Sequence, residues 1–248
     1  MRRSCLILLL LAGCASGPML IPESHLVEMA AMEFEKIKQE MTISDDPEGT
    51  AQVARVSMGI AKALGSEMPD AEWEYVLLED PSANAFAMPG GKIAVFTGLL
   101  ETVESDDELA AVIGHEIAHV LFRHSNQRMT AEILRSIGAV ATVVATDDMD
   151  DGDRALVLAA YGIGSQVGVM LPYSRHHESQ ADQLGLLIAA QSGFDPRAAL
   201  LFWEKMSESN PKSQPEFFST HPGYDTRLQN LRDAMPEAMQ AYEATRLP

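Results

Sequence analysis

Apolar residues recur at three- and four-residue intervals over residues 23–41 and 48–65, the spacing of helices with one buried face, and Asp45-Asp46-Pro47 breaks the pattern between them. Trp73 to Glu79 reads as a strand stopped by Asp80-Pro81. Ala83 to Met88 and Lys92 to Phe96 read as a strand pair turning at Pro89-Gly90-Gly91. Ser105 with Glu108 has the form of a capping box that opens an apolar helix. Helical patterns follow at about 127–145, 154–170 and 174–191, the last stopped at Gly193. Asp195 before Pro196 opens a helix to about Ser207, residues 210–215 form a polar loop, and Tyr224 to Met235 begins another helix. No internal repeat is visible.

The chemistry concentrates inside two of these helices. Gly114-His115-Glu116-Ile117-Ala118-His119 is a H-E-x-x-H motif. Histidines four apart share one helix face, so both imidazoles reach one ion. Glu116 is rotated to the flank, suited to act as general base on a water beside that ion rather than to ligate it. Zinc needs a third protein ligand. Glu178 and Asp182 are four apart on the 174–191 helix; Glu178 can be that ligand, while Asp182 accepts the outer N–H of a zinc histidine and fixes its tautomer. His176 and His177 stand beside Glu178 as rival ligands, although helical geometry favours Glu178 and leaves both histidines at the rim or in solvent. His124, five residues after His119, is expected to face away from the ion and to be structural. His25 is expected at the surface.

G-H-E-I-A-H-V-x-x-R-H followed by S-R-x-x-E-x-x-A-D-x-x-G resembles the gluzincin metallopeptidases of the CAAX prenyl protease and HtpX, metallopeptidase family forty-eight. It resembles more closely the soluble bacterial lipoprotein branch of that family and its relative, the mitochondrial inner-membrane overlapping-activity protease. Asn84-Ala85-Phe86-Ala87, Pro89-Gly90-Gly91, Gly193-Phe194-Asp195-Pro196 and Thr220-His221-Pro222 with Arg227 extend the likeness over roughly residues 70–235. The resemblance implies an α+β, zincin-like domain, mostly helical, with a small sheet whose edge strand borders the cleft. It implies one Zn²⁺ per chain held by His115, His119 and Glu178. It places His221 near the metal, as oxyanion donor or as a removable occupant of the open position. It pairs Arg227 with a carboxylate of the site, Asp182 among the candidates, and gives Asn84, Ala85 and Phe86 to substrate binding by strand addition. Tyr173 and Tyr224 are weaker oxyanion candidates.

Length, charge and cysteines add an address. The chain has 248 residues, 46% of them hydrophobic, and a formal net charge of −18, which argues against nucleic acid as a partner. Arg2 and Arg3, the apolar run to Leu11 and Ala12-Gly13-Cys14 form a short secretory signal ending in a segment that resembles a bacterial lipobox. Cleavage before Cys14 and its lipidation are expected; Ala15 and Ser16 supply no inner-membrane retention aspartate, which points to the outer membrane facing the periplasm. Only Cys5 and Cys14 exist, so a mature chain has no internal disulfide and the ligands must be His and Glu. The expected organisation is a signal at 1–13, a lipidated tether at 14–22, a helical segment at 23–69 and the peptidase domain at 70–248. Asp147 to Asp153 does not fit a calcium loop, because Met149 and Leu158 fall where oxygen ligands are needed. The apolar helices flanking it are too short and interrupted to span a bilayer and are expected to cover the active-site helices or to form a lid.

The function expected from all this is a membrane-anchored zinc endopeptidase acting on misfolded or unassembled envelope proteins. The main alternative is a chaperone or assembly factor for outer-membrane proteins with a mostly latent site. A zinc amidase acting on cell-wall peptides and a non-catalytic metal-binding lipoprotein are further alternatives; Glu116 argues against the last, since ligation alone has no use for that carboxylate.

Overall fold

The computed structural model describes residues 18–166, 170–208, 221 and 224–246. The signal segment 1–13, Cys14, the 210–215 loop, Thr220 and Pro222 lie outside the described residues. Two helices open the fold, α1 (Glu23–Glu40) and α2 (Pro47–Leu64). Asp46 caps α2 by accepting from the Glu48 N–H, and Pro47 sits at the first helical turn, where no hydrogen bond is lost.

Three strands follow: β1 (Glu74–Leu78), β2 (Ala85–Met88) and β3 (Lys92–Phe96). β3 is central, parallel to β1 and antiparallel to β2. The β2–β3 turn uses Gly90 and Gly91 at φ 85° and 86°, a left-handed conformation that side chains resist. β2 is therefore an edge strand, and its outer side pairs with no strand among the described residues. α1 covers one face of the sheet with Phe34 against Val76, Ala94 and Phe96. α2 supplies Val53, Val56 and Ile60 to the larger core, together with Leu77, Ile93 and Val95 of the sheet and the helices that follow.

After the short α3 (Thr97–Leu100) comes α4 (Asp106–Leu121). Its cap differs by one residue from the expected box. Ser105 Oγ accepts from the Glu108 N–H at 3.2 Å, but the Glu108 carboxylate accepts from the Glu104 N–H at 2.9 Å rather than from Ser105. Three acidic residues in the first turn complement the helix dipole. Every residue from Glu108 to Ala118 is buried, so α4 is the central helix of the domain.

The remaining helices are α5 (His124–Ala145), α6 (Asp151–Ser165), α7 (Leu171–Gln191), α8 (Arg197–Glu208) and α9 (Tyr224–Thr245). α9 continues through Pro236, because burial of Leu231 and Ala238 against its neighbours offsets the hydrogen bond that proline cannot make. α7 packs against both α4 and α9. A Cβ on Gly114 would stand 2.7 Å from the Gly185 carbonyl oxygen, and one on Gly185 would stand 2.7 Å from His115 Cα. The two helices thus cross with their backbones in contact, at the turn that carries His115, one turn beyond Asp182 and two beyond Glu178.

The α5–α6 hairpin departs from expectation. It does not cover the active-site helices with its apolar residues: α6 buries none, and Ile137, Val140, Val144, Leu156 and Ile163 are each more than half exposed. The hairpin closes mainly on itself near Gly138, where the Tyr161 hydroxyl donates to the Arg135 carbonyl at 2.7 Å. Among the described residues no helix is long and apolar enough to cross a membrane.

Candidate metal centre

α4 and α7 bring the sequence-predicted residues together. His115 Nε2 and His119 Nε2 lie 3.0 Å apart, and Glu178 Oε2 and Oε1 lie 3.3 and 3.5 Å from them respectively. With His221 they form a group whose ligating atoms all fall within 4.8 Å of one another, the convergence an ion of zinc's size requires. His221 takes the remaining corner, its Nδ1 3.0 Å from Glu178 Oε2 and 3.3 Å from His115 Nε2. Its Nε2 is 3.4 Å from Glu116 Oε1. That carboxylate oxygen is buried and makes no hydrogen bond among the described residues.

The outer atoms of the two motif histidines are held differently. His115 Nδ1 lies 3.1 Å from Asp182 Oδ1, so its proton goes to the carboxylate and Nε2 keeps its lone pair for a metal. Asp182 is gripped by Arg227, whose Nε and Nη2 donate to both of its oxygens at 2.6–3.1 Å. The Arg227 guanidinium is 1% exposed, lies over the Trp203 ring at 3.7 Å and reaches within 3.5 Å of Glu178.

His119 Nδ1 faces His124 Nδ1 at 2.9 Å, and His124 Nε2 faces Gln180 Oε1 at 3.3 Å. An amide oxygen only accepts, so with this orientation His124 donates from Nε2 and accepts at Nδ1. His119 then donates from Nδ1 and presents a bare Nε2 to the cluster. This corrects the reading of His124 as a residue turned away. α4 ends at Leu121 and Arg123 takes a left-handed conformation (φ 57°), so the helical offset does not carry across to residue 124. His177 does not face solvent: it is buried, stacked on His124 with ring centres 3.9 Å apart and bonded to Gln127, although it does line the cleft that opens on the site. His176 is exposed, as expected, and His25 lies at the surface.

Electrostatics single out a cation. Glu116, Glu178, Asp182 and Arg227 are all at least nine-tenths buried, three carboxylates against one guanidinium. Two negative charges in excess, largely withdrawn from solvent, are balanced by one divalent ion. In its absence protons and imidazoles take up the charge. Burial draws the His115 imidazole toward neutrality, but Asp182 and Glu178 overcome it and push it up to about 9. His119 is held well below the ordinary histidine range by burial and by the charge on His115. Burial opposes ionisation of Glu178, yet His115 and His221 keep it well below the usual carboxylate range. Burial raises Glu116. Burial, then His177, lowers His124 to about 3, which keeps its Nδ1 an acceptor.

A cleft of about 370 Å³ opens onto the cluster. Asn84, Ala85, Phe86 and Ala87 of the β2 segment line one side, Glu116, His119, Glu178 and His221 its floor. Phe86 also packs edge-to-face on Phe96, so the strand is held from behind.

Paired imidazoles and a carboxylate on crossing helices, beside an unbonded glutamate and an edge strand, define a zincin-like metallopeptidase domain. The chain belongs to Peptidase family M48, whose profile matches residues 47–235. It is 35% identical to the mitochondrial metalloendopeptidase OMA1 of Schizosaccharomyces pombe over 198 residues, 79% of this chain and 56% of the relative. It is 33% identical to human OMA1 over 186 residues, 71% of this chain and 35% of that protein. It is 28% identical to the β-barrel assembly-enhancing protease of Escherichia coli over 184 residues, 71% of this chain and 37% of that protein. The chain thus spans about a third to a little over half the length of these relatives. Proteins of the family are zinc-dependent, and the donor set here fits that ion.

Proposed function

We propose that the protein is a zinc endopeptidase that cuts extended segments of misfolded or unassembled cell-envelope proteins, anchored by a lipid on Cys14 to the outer membrane on its periplasmic side. The observation that carries the catalytic part is the buried, unbonded Glu116 oxygen beside a three-donor cluster at the floor of a cleft. His115, His119 and Glu178 would hold the ion. Bound there, Zn²⁺ supplies a Lewis acid that polarises a carbonyl and acidifies water. Glu116 takes the proton of the attacking water and returns it to the leaving amide nitrogen, work suited to a carboxyl that burial has raised. Asp182, held by Arg227, keeps His115 in the ligating tautomer. β2 receives the substrate backbone as an added strand at Asn84, Ala85 and Phe86, which asks little of substrate sequence.

The envelope substrate follows from the E. coli relative, whose name ties it to β-barrel assembly, and from the signal-like N-terminus. His221 supports a regulated site. It stands at the corner a water would need, so we assign it as an occupant that substrate displaces. The same contact favours the second reading, an assembly factor that holds clients at a mostly latent site.

Glu116→Gln tests the mechanism. Casein cleavage should fall about 10²–10⁴-fold with zinc near one per chain. Cleavage at the wild-type rate would overturn the assignment of the base. Full function of this variant in cells would favour holding over cutting.

A further inference from the structure

We infer that the bare apolar stripe of α5 is a second membrane contact, lying on the surface of an uncharged lipid bilayer. The inference rests on the proposed lipid anchor at Cys14. Ile133, Ile137, Val140 and Val144 follow one another at i, i+4, i+7 and i+11, one narrow face of the helix, and are 41%, 59%, 64% and 69% exposed. From Ile133 to Ala145 the only charged residue is Arg135, which is paired with Glu132; from Ala155 to Gln166 there is none. On α6, Leu156 and Ile163 are also bare.

The N-terminal tether says what covers this face. Asn126 and Thr130 begin the same stripe, seven and three residues before Ile133. The Asn126 side chain donates to the Ile21 carbonyl at 2.7 Å, and the Leu20 N–H donates to Thr130 Oγ at 3.0 Å. Pro18 farther along lines a pocket with Ala131, Leu134 and Arg135 of α5 and Tyr161 of α6, on the flank of α5 next to the stripe rather than on it. From Ile21 to Pro18 the described chain advances along α5 toward the end that carries the exposed stripe. Cys14 lies four chain steps before Pro18, a reach of at most about 14 Å, comparable to the roughly 16 Å from Ile133 to Val144. The stripe is therefore within reach of Cys14, and acyl chains there would hold a membrane close to this helix.

Charge selects the lipid. Asp147, Asp148, Asp150, Asp151 and Asp153 stand at the far end of the hairpin, and the whole chain carries −18, so anionic headgroups repel it. The contact is apolar and fits zwitterionic lipid.

The test uses the chain from Ala15 onward, which keeps every described residue, has neither lipid nor leader, and contains no cysteine. A polarity-sensitive dye is attached at Val140→Cys and, as a control, at Met58→Cys, an exposed site on α2. With phosphatidylcholine vesicles the dye at 140 should shift to the blue and that at 58 should not. Ile137→Asp with Val144→Asp should lower the vesicle-bound fraction roughly tenfold without changing the melting temperature, and anionic lipid should weaken binding. An unresponsive dye at 140 would overturn the inference. So would a vesicle-independent dimer that these aspartates convert to monomer, since the stripe would then join two copies. The anchor is read separately, by membrane fractionation of the wild-type chain against Cys14→Ser in cells. A soluble wild-type chain would remove the anchor and leave the vesicle result to stand by itself.

Discussion

α4 and α5 follow one another with a two-residue break, and both are rich in small and branched apolar residues, yet they meet opposite fates. Every residue of α4 from Glu108 to Ala118 is buried, whereas α5 buries four residues, all in its first two turns. The difference lies in what each helix can approach. Gly114 on α4 meets Gly185 on α7 backbone to backbone, and around that crossing the imidazoles, the carboxylates and Arg227 lock together. Beyond its first two turns α5 closes on α6, at Gly138 against Tyr161, and α6 has no core behind it. Apolar composition thus produces a rigid metal cradle where small residues admit a buried partner, and a bare surface where they do not.

The contrast can be broken most forcefully at Arg227. Arg227→Leu leaves Asp182 and Glu178 as uncompensated buried charges; a loss of about 3–5 kcal/mol in chemical denaturation is expected. Gly185→Ala comes next. Its methyl meets the His115 backbone, so stability should fall by about 1–3 kcal/mol, with weaker zinc binding as the helices part. A stability unchanged by this substitution would show that the crossing is looser than the 2.7 Å approach implies.

His124 probes the cradle more finely. His124→Phe removes the acceptor that sets the His119 tautomer, and chelator competition should show zinc held about 10–100-fold less tightly. His124→Asn keeps an acceptor and should recover most of that affinity; equal losses in the two variants would reduce His124 to packing. The smallest effect belongs to the hairpin. Val144→Ser, at a bare position, should change stability by no more than about 0.5 kcal/mol, and a larger loss would mean that α5 is part of the core after all.

Much of the cradle was legible beforehand because its signals are local. His115 and His119 at i, i+4 and Glu178 and Asp182 at i, i+4 each declare one helix face, and Ser105 with Glu108 marks the helix start. The strand pair around Gly90 and Gly91 was equally local. What escaped depends on breaks or on distance. The left-handed Arg123 swings His124 back to the site, and no periodic reading crosses such a break. His177 is buried by stacking on that same histidine, so its place follows from His124. Gly114 and Gly185 carry the crossing, but a glycine within a helical pattern does not name its partner. The bare face of α5 looks, in sequence, like any buried one; only the surrounding helices decide.

The central claim, that α4 and α7 clasp one divalent ion, is tested most directly by zinc analysis of the purified chain and its Glu178→Ala variant, with circular dichroism as the check on folding. The wild type should hold close to one zinc per chain, and the folded variant should lose it. Stoichiometric zinc retained by a folded Glu178→Ala chain would contradict the account.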